Sequence, residues 1–148
     1  MKINYNKILR DNMLNVFREV LLNILKNGLQ EDHHLYITFD TNHAKVKIPI
    51  WLKKKHPQEM TIVIQHEYWD FMVKKNLFNI GLSFEGVKTA LTIHYDSVVS
   101  FADPYANFGL RIAKNQKKEE KTKLKVNKAV MTENKKNNIL EFKKIGKD

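Results

Sequence analysis

Apolar and polar residues alternate along positions 78–84: Phe78, Ile80, Leu82 and Phe84 are separated by Asn79, Gly81 and Ser83. A period of two predicts a strand with one buried face. Glu85-Gly86 follows as a turn signal, because glycine takes positive φ without steric cost. Beyond it, Leu91, Ile93 and Tyr95 alternate with Thr92 and His94, which predicts a second strand. Gly81 and Ser83 leave little bulk on the first strand's other face. A bare face lets another backbone come close, so an extended peptide is expected to lie there.

Residues 5–27 follow a different period. Tyr5, Leu9, Met13, Val16, Val20 and Ile24 form one apolar stripe, with Ile8, Phe17, Leu21 and Leu25 beside it. This predicts a helix, and Asn27-Gly28 is a good C-terminal stop. The apolar surface is wider than packing on one sheet needs. Either a deeply buried helix or one shared between the sheet and a second subunit accounts for that width. The second is favoured, with Leu9, Met13, Val16 and Val20 at the contact between subunits.

From residue 35 the period returns to two. Leu35, Ile37 and Phe39 alternate with Tyr36 and Thr38, and Asp40-Thr41-Asn42 makes a turn. Val46 and Ile48 alternate with Lys45 and Lys47, predicting a strand that Pro49 ends. Trp51-Leu52 lead into a charged loop or short helical turn over 53–57. Residues 60–65 are nearly all apolar and β-branched at their centre, which predicts a central strand. Residues 67–74 either continue as a strand or bend away. Residues 96–101 are expected as a short helix or turn before Asp103-Pro104, and Phe108, Leu110 and Ile112 as a last strand. One helix and about six short strands predict an α+β domain, a small curled sheet or partly open barrel carrying the helix.

The chain has 148 residues and is 43% hydrophobic, which fits one domain with a real core. Its net charge of +10 invites a nucleic-acid reading, but the distribution matters. Residues 1–113 hold 14 Lys+Arg against 11 Asp+Glu, a net of +3, whereas residues 114–148 hold 12 against 5, a net of +7. The excess therefore sits in the tail, where Phe142 is the one aromatic. A nucleic-acid-binding face would more often interleave basic and aromatic residues. Residues 1–113 are expected to form the folded body. Residues 114–136, rich in Lys, Asn and Glu, have the composition of a disordered linker. A linker of about 25 residues spans roughly 25–30 Å on average. Within 137–148, Ile139, Leu140 and Phe142 form an isolated apolar cluster followed by Lys143 and Lys144. Such anchors suit a partner's groove, a frayed terminal helix being the competing reading.

The chemistry in the sequence is sparse. There is no cysteine, which excludes a disulfide framework and thiolate catalysis. The six histidines lack the His-x-x-x-His spacing of a helical zinc site. Asp32-His33-His34 could hold a metal, but neighbours along a strand point to opposite faces, and local hydrogen bonds are the better reading. No Gly-x-Ser-x-Gly elbow and no glycine-rich phosphate loop are present. No catalytic residue, cofactor or metal is therefore expected. The block Tyr68-Trp69-Asp70-Phe71 reads better as core and dimer contact than as a base-stacking platform. Met1-Lys2-Ile3-Asn4-Tyr5 is polar and no apolar run approaches membrane-spanning length, so a reduced, cytoplasmic compartment is expected.

Five fragments occur in one order. They are the helix opening Ile3-Asn4-Tyr5, the run 32–39 (DHHLYITF), the run 60–70 (MTIVIQHEYWD), the run 80–87 (IGLSFEGV), and Phe101-Ala102-Asp103-Pro104 with Phe108-Gly109-Leu110. Together they resemble the SspB (stringent starvation protein B) family in its alphaproteobacterial form, over residues 3–112. The resemblance implies a homodimeric protease adaptor with a small Sm-like or SH3-like β-fold. Such adaptors bind ssrA-tagged polypeptides in a groove and deliver them, through a tail motif docked on the ClpX N-terminal domain, to the ClpXP protease. Matched to this chain, the peptide-binding strand is Ile80, Gly81, Leu82, Ser83 and Phe84, with Gly86 and Val87 at the turn. The docking motif is Ile139, Leu140, Phe142, Lys143 and Lys144. The family commonly has Pro after the Gly-Val pair; this chain has Lys88. A basic Sm-like nucleic-acid-binding protein is the alternative.

Overall fold

Helix α1 (Tyr5–Asn27) begins where Asn4 caps it, the Asn4 side chain accepting the Lys7 backbone N–H at 3.1 Å. It ends at Gly28, whose φ of 74° is left-handed and whose N–H donates to the Ile24 carbonyl at 2.7 Å. The computed structural model describes residues 2–30 and 32–113. The linker 114–136 and the docking segment 137–148 lie outside the described residues.

The strands form two antiparallel sheets, consistent with the α+β class and without a closed barrel. One sheet has the order β2-β1-β6-β7, from β1 (Leu35–Asp40), β2 (Glu59–Ile64), β6 (Val98–Asp103) and β7 (Phe108–Arg111). The other has the order β3-β4-β5, from β3 (Trp69–Val73), β4 (Leu77–Phe84) and β5 (Val87–His94). A short helix, α2 (Ile50–Lys55), precedes β2. Among the described residues no helix is long and apolar enough to cross a membrane.

The inward residues of both sheets meet under α1. Phe17 lies with its ring centroid 5.0 Å from Phe101 of β6 and 5.8 Å from Phe78 of β4. It therefore touches one strand from each sheet. Leu21 and Ile24 follow it into the core on the same helix face. The apolar surface of α1 divides: Phe17, Leu21 and Ile24 are buried, while Tyr5, Leu9 and Val16 are 72%, 50% and 41% exposed.

Four expectations need correction. Residues 45–48 are not a strand: Lys47 makes a single bridge to Thr92, exchanging backbone hydrogen bonds of 2.9 and 3.0 Å. Val46 and Ile48 merely pack against the core from a loop. Residues 98–101 are strand rather than helix or turn, with only Tyr95–Ser97 forming a 3-10 turn. A bulge between β1 and β6 breaks the period there, so that Val98 and Phe101 are buried three apart. Strand β2 is an edge, not a centre, since among the described residues it pairs with β1 alone. Among the described residues the strands number seven rather than about six. At 65–68 the chain bends away and crosses into the second sheet as β3, which settles the alternative left open for residues 67–74.

Candidate functional site

Strand β2 pairs with β1 along all six of its residues and with no described strand on its other side. In an antiparallel ladder about half of an edge strand's N–H and C=O groups point outward. That outer edge borders an open groove of about 500 Å³. Its walls are residues 61–63 of β2 and 82–84 of β4, and residues 65–67 close one end. A second depression, of about 540 Å³, is lined by Glu67, Tyr68, Trp69, Ser83, Gly86 and Lys88. The two share Glu67 and Ser83, so one extended chain could occupy both.

The hairpin that forms the second wall turns at Glu85 and Gly86, with φ of 52° and 79°. Two left-handed residues in succession are the geometry that matches the twist of paired strands. An ion pair between Lys55 and Glu85 ties the end of α2 to this tip. On the outer face of the second sheet, β3 carries a register shift between Trp69 and Met72, where Asp70 has φ of 48°. Bulges of this kind re-aim side chains. Here the Trp69 indole covers Gly81, its cross-strand partner. A Cβ on Gly81 would sit 3.2 Å from Trp69 Cε3, so a larger residue here would push the ring aside by a few tenths of an ångström. The space that the bare face of β4 offered to a second backbone is taken by this indole.

The residues matched to a peptide strand are thus dispersed in their environments. Leu82, Ser83 and Phe84 line the first groove, and Ser83 and Gly86 the second. Ile80 is a core residue at 1% exposure, and Gly81 is buried beneath Trp69. Val87 is exposed at the hairpin's edge. Strand β4 pairs with β5 along its whole length and with β3 between Phe78 and Gly81, which occupies its backbone on two sides there and on one side at 82–84. Sequence reasoning missed Thr61, Val63, Gln65, His66, Glu67 and Lys88 as lining residues. The signal available for them was the outward alternation of Thr61 and Val63, followed by an aperiodic break at 65–68.

Of the helix residues expected between subunits, Leu9 and Val16 are exposed, while Met13 and Val20 are half-buried against the core. Tyr5, Leu9 and Val16 stand at spacings of four and seven, which aligns them on one flank of α1.

His43, His94 and Asp96 converge, with possible ligand atoms within 4.8 Å of one another. The two imidazoles stack at 5.5 Å. His43 Nδ1 accepts the Lys45 backbone N–H at 3.1 Å, and His94 Nδ1 accepts that of Asp96 at 3.2 Å. Neutral rings held this way carry their proton on Nε2, so ligation by either costs a hydrogen bond. Burial lowers the His94 pKa, with Asp96 opposing and Lys45 and His43 reinforcing the shift. The donor set fits a hydrogen-bonded corner better than a metal centre. His33, by contrast, pairs with Asp103 at 2.6 Å and packs on Tyr105.

An edge strand, an apolar wall and two depressions that share Glu67 and Ser83 thus lie side by side. The model of the family described as Stringent starvation protein B (SspB) matches residues 8–144. That span is most of the chain, and the protein belongs to the SspB family. No curated protein matches the sequence.

Proposed function

We propose that this protein is a cytoplasmic protease adaptor, not an enzyme, that binds ssrA-tagged polypeptides and tethers them to ClpX for degradation by ClpXP. The observation that carries the reading is the unpaired edge of β2 beside the groove walled by Leu82, Ser83 and Phe84. A tag lying along β2 would complete its ladder, and its side chains would alternate between the groove and solvent. Membership of the SspB family supports the adaptor role. The docking motif at Ile139, Leu140, Phe142, Lys143 and Lys144 rests on the resemblance and on its apolar-then-basic order. Held on a linker, a bound substrate stays near the unfoldase at raised effective concentration.

Fluorescence anisotropy of a labelled ssrA-tag peptide tests recognition. The full chain and a form truncated after Lys114 should bind equally, and only the full chain should speed degradation by ClpXP. Absence of binding by both removes the assignment. Affinity for single-stranded oligonucleotides that falls steeply with salt and vanishes with the tail would favour the nucleic-acid alternative instead.

Dimerisation through α1 belongs to the same reading, with Leu9 and Val16 offering the exposed apolar contact and Met13 and Val20 its inner margin. Sedimentation should give about twice the monomer mass for the full chain, and Val16→Asp should reduce it to the monomer by burying an unpaired charge. A native chain that sediments as a monomer at high concentration would refute the contact.

A further inference from the structure

We infer that Lys88 and Ser83, set beside the Trp69 indole, form a subsite that binds a carboxylate of the chain occupying the groove. The inference rests on the peptide-binding reading proposed above. Lys88 and Ser83 are cross-strand partners in β5 and β4, so their side chains project from the same face. Both line the second depression, and Ser83 also lines the first. The Lys88 ammonium lies 4.8 Å from the centroid of the Trp69 ring. A ring face holds a cation without neutralising it, so the side chain is ordered while its charge stays available. Among the described residues no carboxylate lies within ion-pair distance of Lys88 and no hydrogen bond occupies the Ser83 hydroxyl.

Two structural facts converge on this arrangement. Gly81 leaves room for the indole, and the bulge at Asp70 turns it over β4. A carboxylate entering from the first groove would meet an ammonium and a hydroxyl together, and both can donate charge-assisted hydrogen bonds to it. Glu67 lines the same depression and opposes a polyanion such as a phosphate backbone. One acidic group on an otherwise near-neutral chain fits better.

The test is anisotropy with the full chain and labelled ssrA-tag peptides. In one set each Asp or Glu is replaced in turn by its amide, and in one further peptide the C-terminus is amidated. Lys88→Gln should weaken binding about threefold to fivefold, as expected for a solvent-exposed charge pair, and flatten its salt dependence. Lys88→Arg should bind within about twofold of the native chain. One peptide carboxylate, side-chain or terminal, should lose the same factor when neutralised against native protein and nothing against Lys88→Gln. Native protein that fails to bind any peptide overturns both this subsite and the peptide reading. Peptide binding untouched by Lys88→Gln overturns the subsite alone. So does a loss that couples to no carboxylate, or displacement of the peptide by an oligonucleotide.

Discussion

Strands β2 and β4 face each other across the groove, yet they differ in how far each is paired. Strand β4 lies between β3 and β5, paired with β5 along its whole length but with β3 only between Phe78 and Gly81. Beyond Gly81 it offers the groove the side chains of Leu82, Ser83 and Phe84. Strand β2 is paired on one side alone and offers backbone. Under the proposed function, the contrast would let one site recognise many proteins that carry one tag. Main-chain hydrogen bonds supply affinity that is indifferent to sequence, while pockets on the facing wall supply selection. An unfinished strand is a hazard when it stands open, and a groove is one way to confine it.

The largest way to break this comparison is to remove what holds the two strands opposite each other. Phe17 touches Phe101 in the sheet of β2 and Phe78 in the sheet of β4. It is fully buried, so Phe17→Ala leaves a cavity between helix and both sheets. The expected loss is about 3–5 kcal/mol of folding stability, read as a lowered urea midpoint with an unchanged slope. A loss under about 1 kcal/mol would show that the two sheets are held together elsewhere. Peptide affinity measured where the variant remains folded should then be near the native value, because no groove residue has changed.

The same pair of strands shows where sequence reasoning works and where it stops. Alternation reports which face of a strand is buried, and it did so for residues 35–39, 78–84 and 91–95. The limits of α1 were legible because an apolar stripe ended at a glycine able to take positive φ. Alternation does not report whether a strand has one neighbour or two. Residues 60–64 therefore read as a centre when they form an edge. Strand β6 was missed because a bulge places Val98 and Phe101 on one face at a spacing of three. The groove itself was half legible. Its β4 wall follows from local pattern, but its β2 wall is about twenty residues distant in sequence and is brought there by the crossing at 65–68. The indole over Gly81 is equally non-local, since nothing in a lone glycine tells a bulky ring from a backbone as the neighbour it admits.

A finer measurement would sharpen the division of labour between β2 and β4. If a tag pairs with β2, its own amides must alternate between the strand and solvent, as in any antiparallel or parallel ladder. N-methylation of successive peptide amides should then weaken binding in alternation. Each amide that donates to β2 should cost about tenfold, the loss of one hydrogen bond of about 1 kcal/mol plus the bulk of the methyl group. The amides between them should cost little. The variant Leu82→Ala should lower affinity for every member of this series by a common factor, because it alters the β4 wall and leaves the ladder intact. Equal effects at every amide would mean that the peptide is held by its side chains alone. In that case the open edge of β2 would have no part in recognition, and β4 would carry the site by itself.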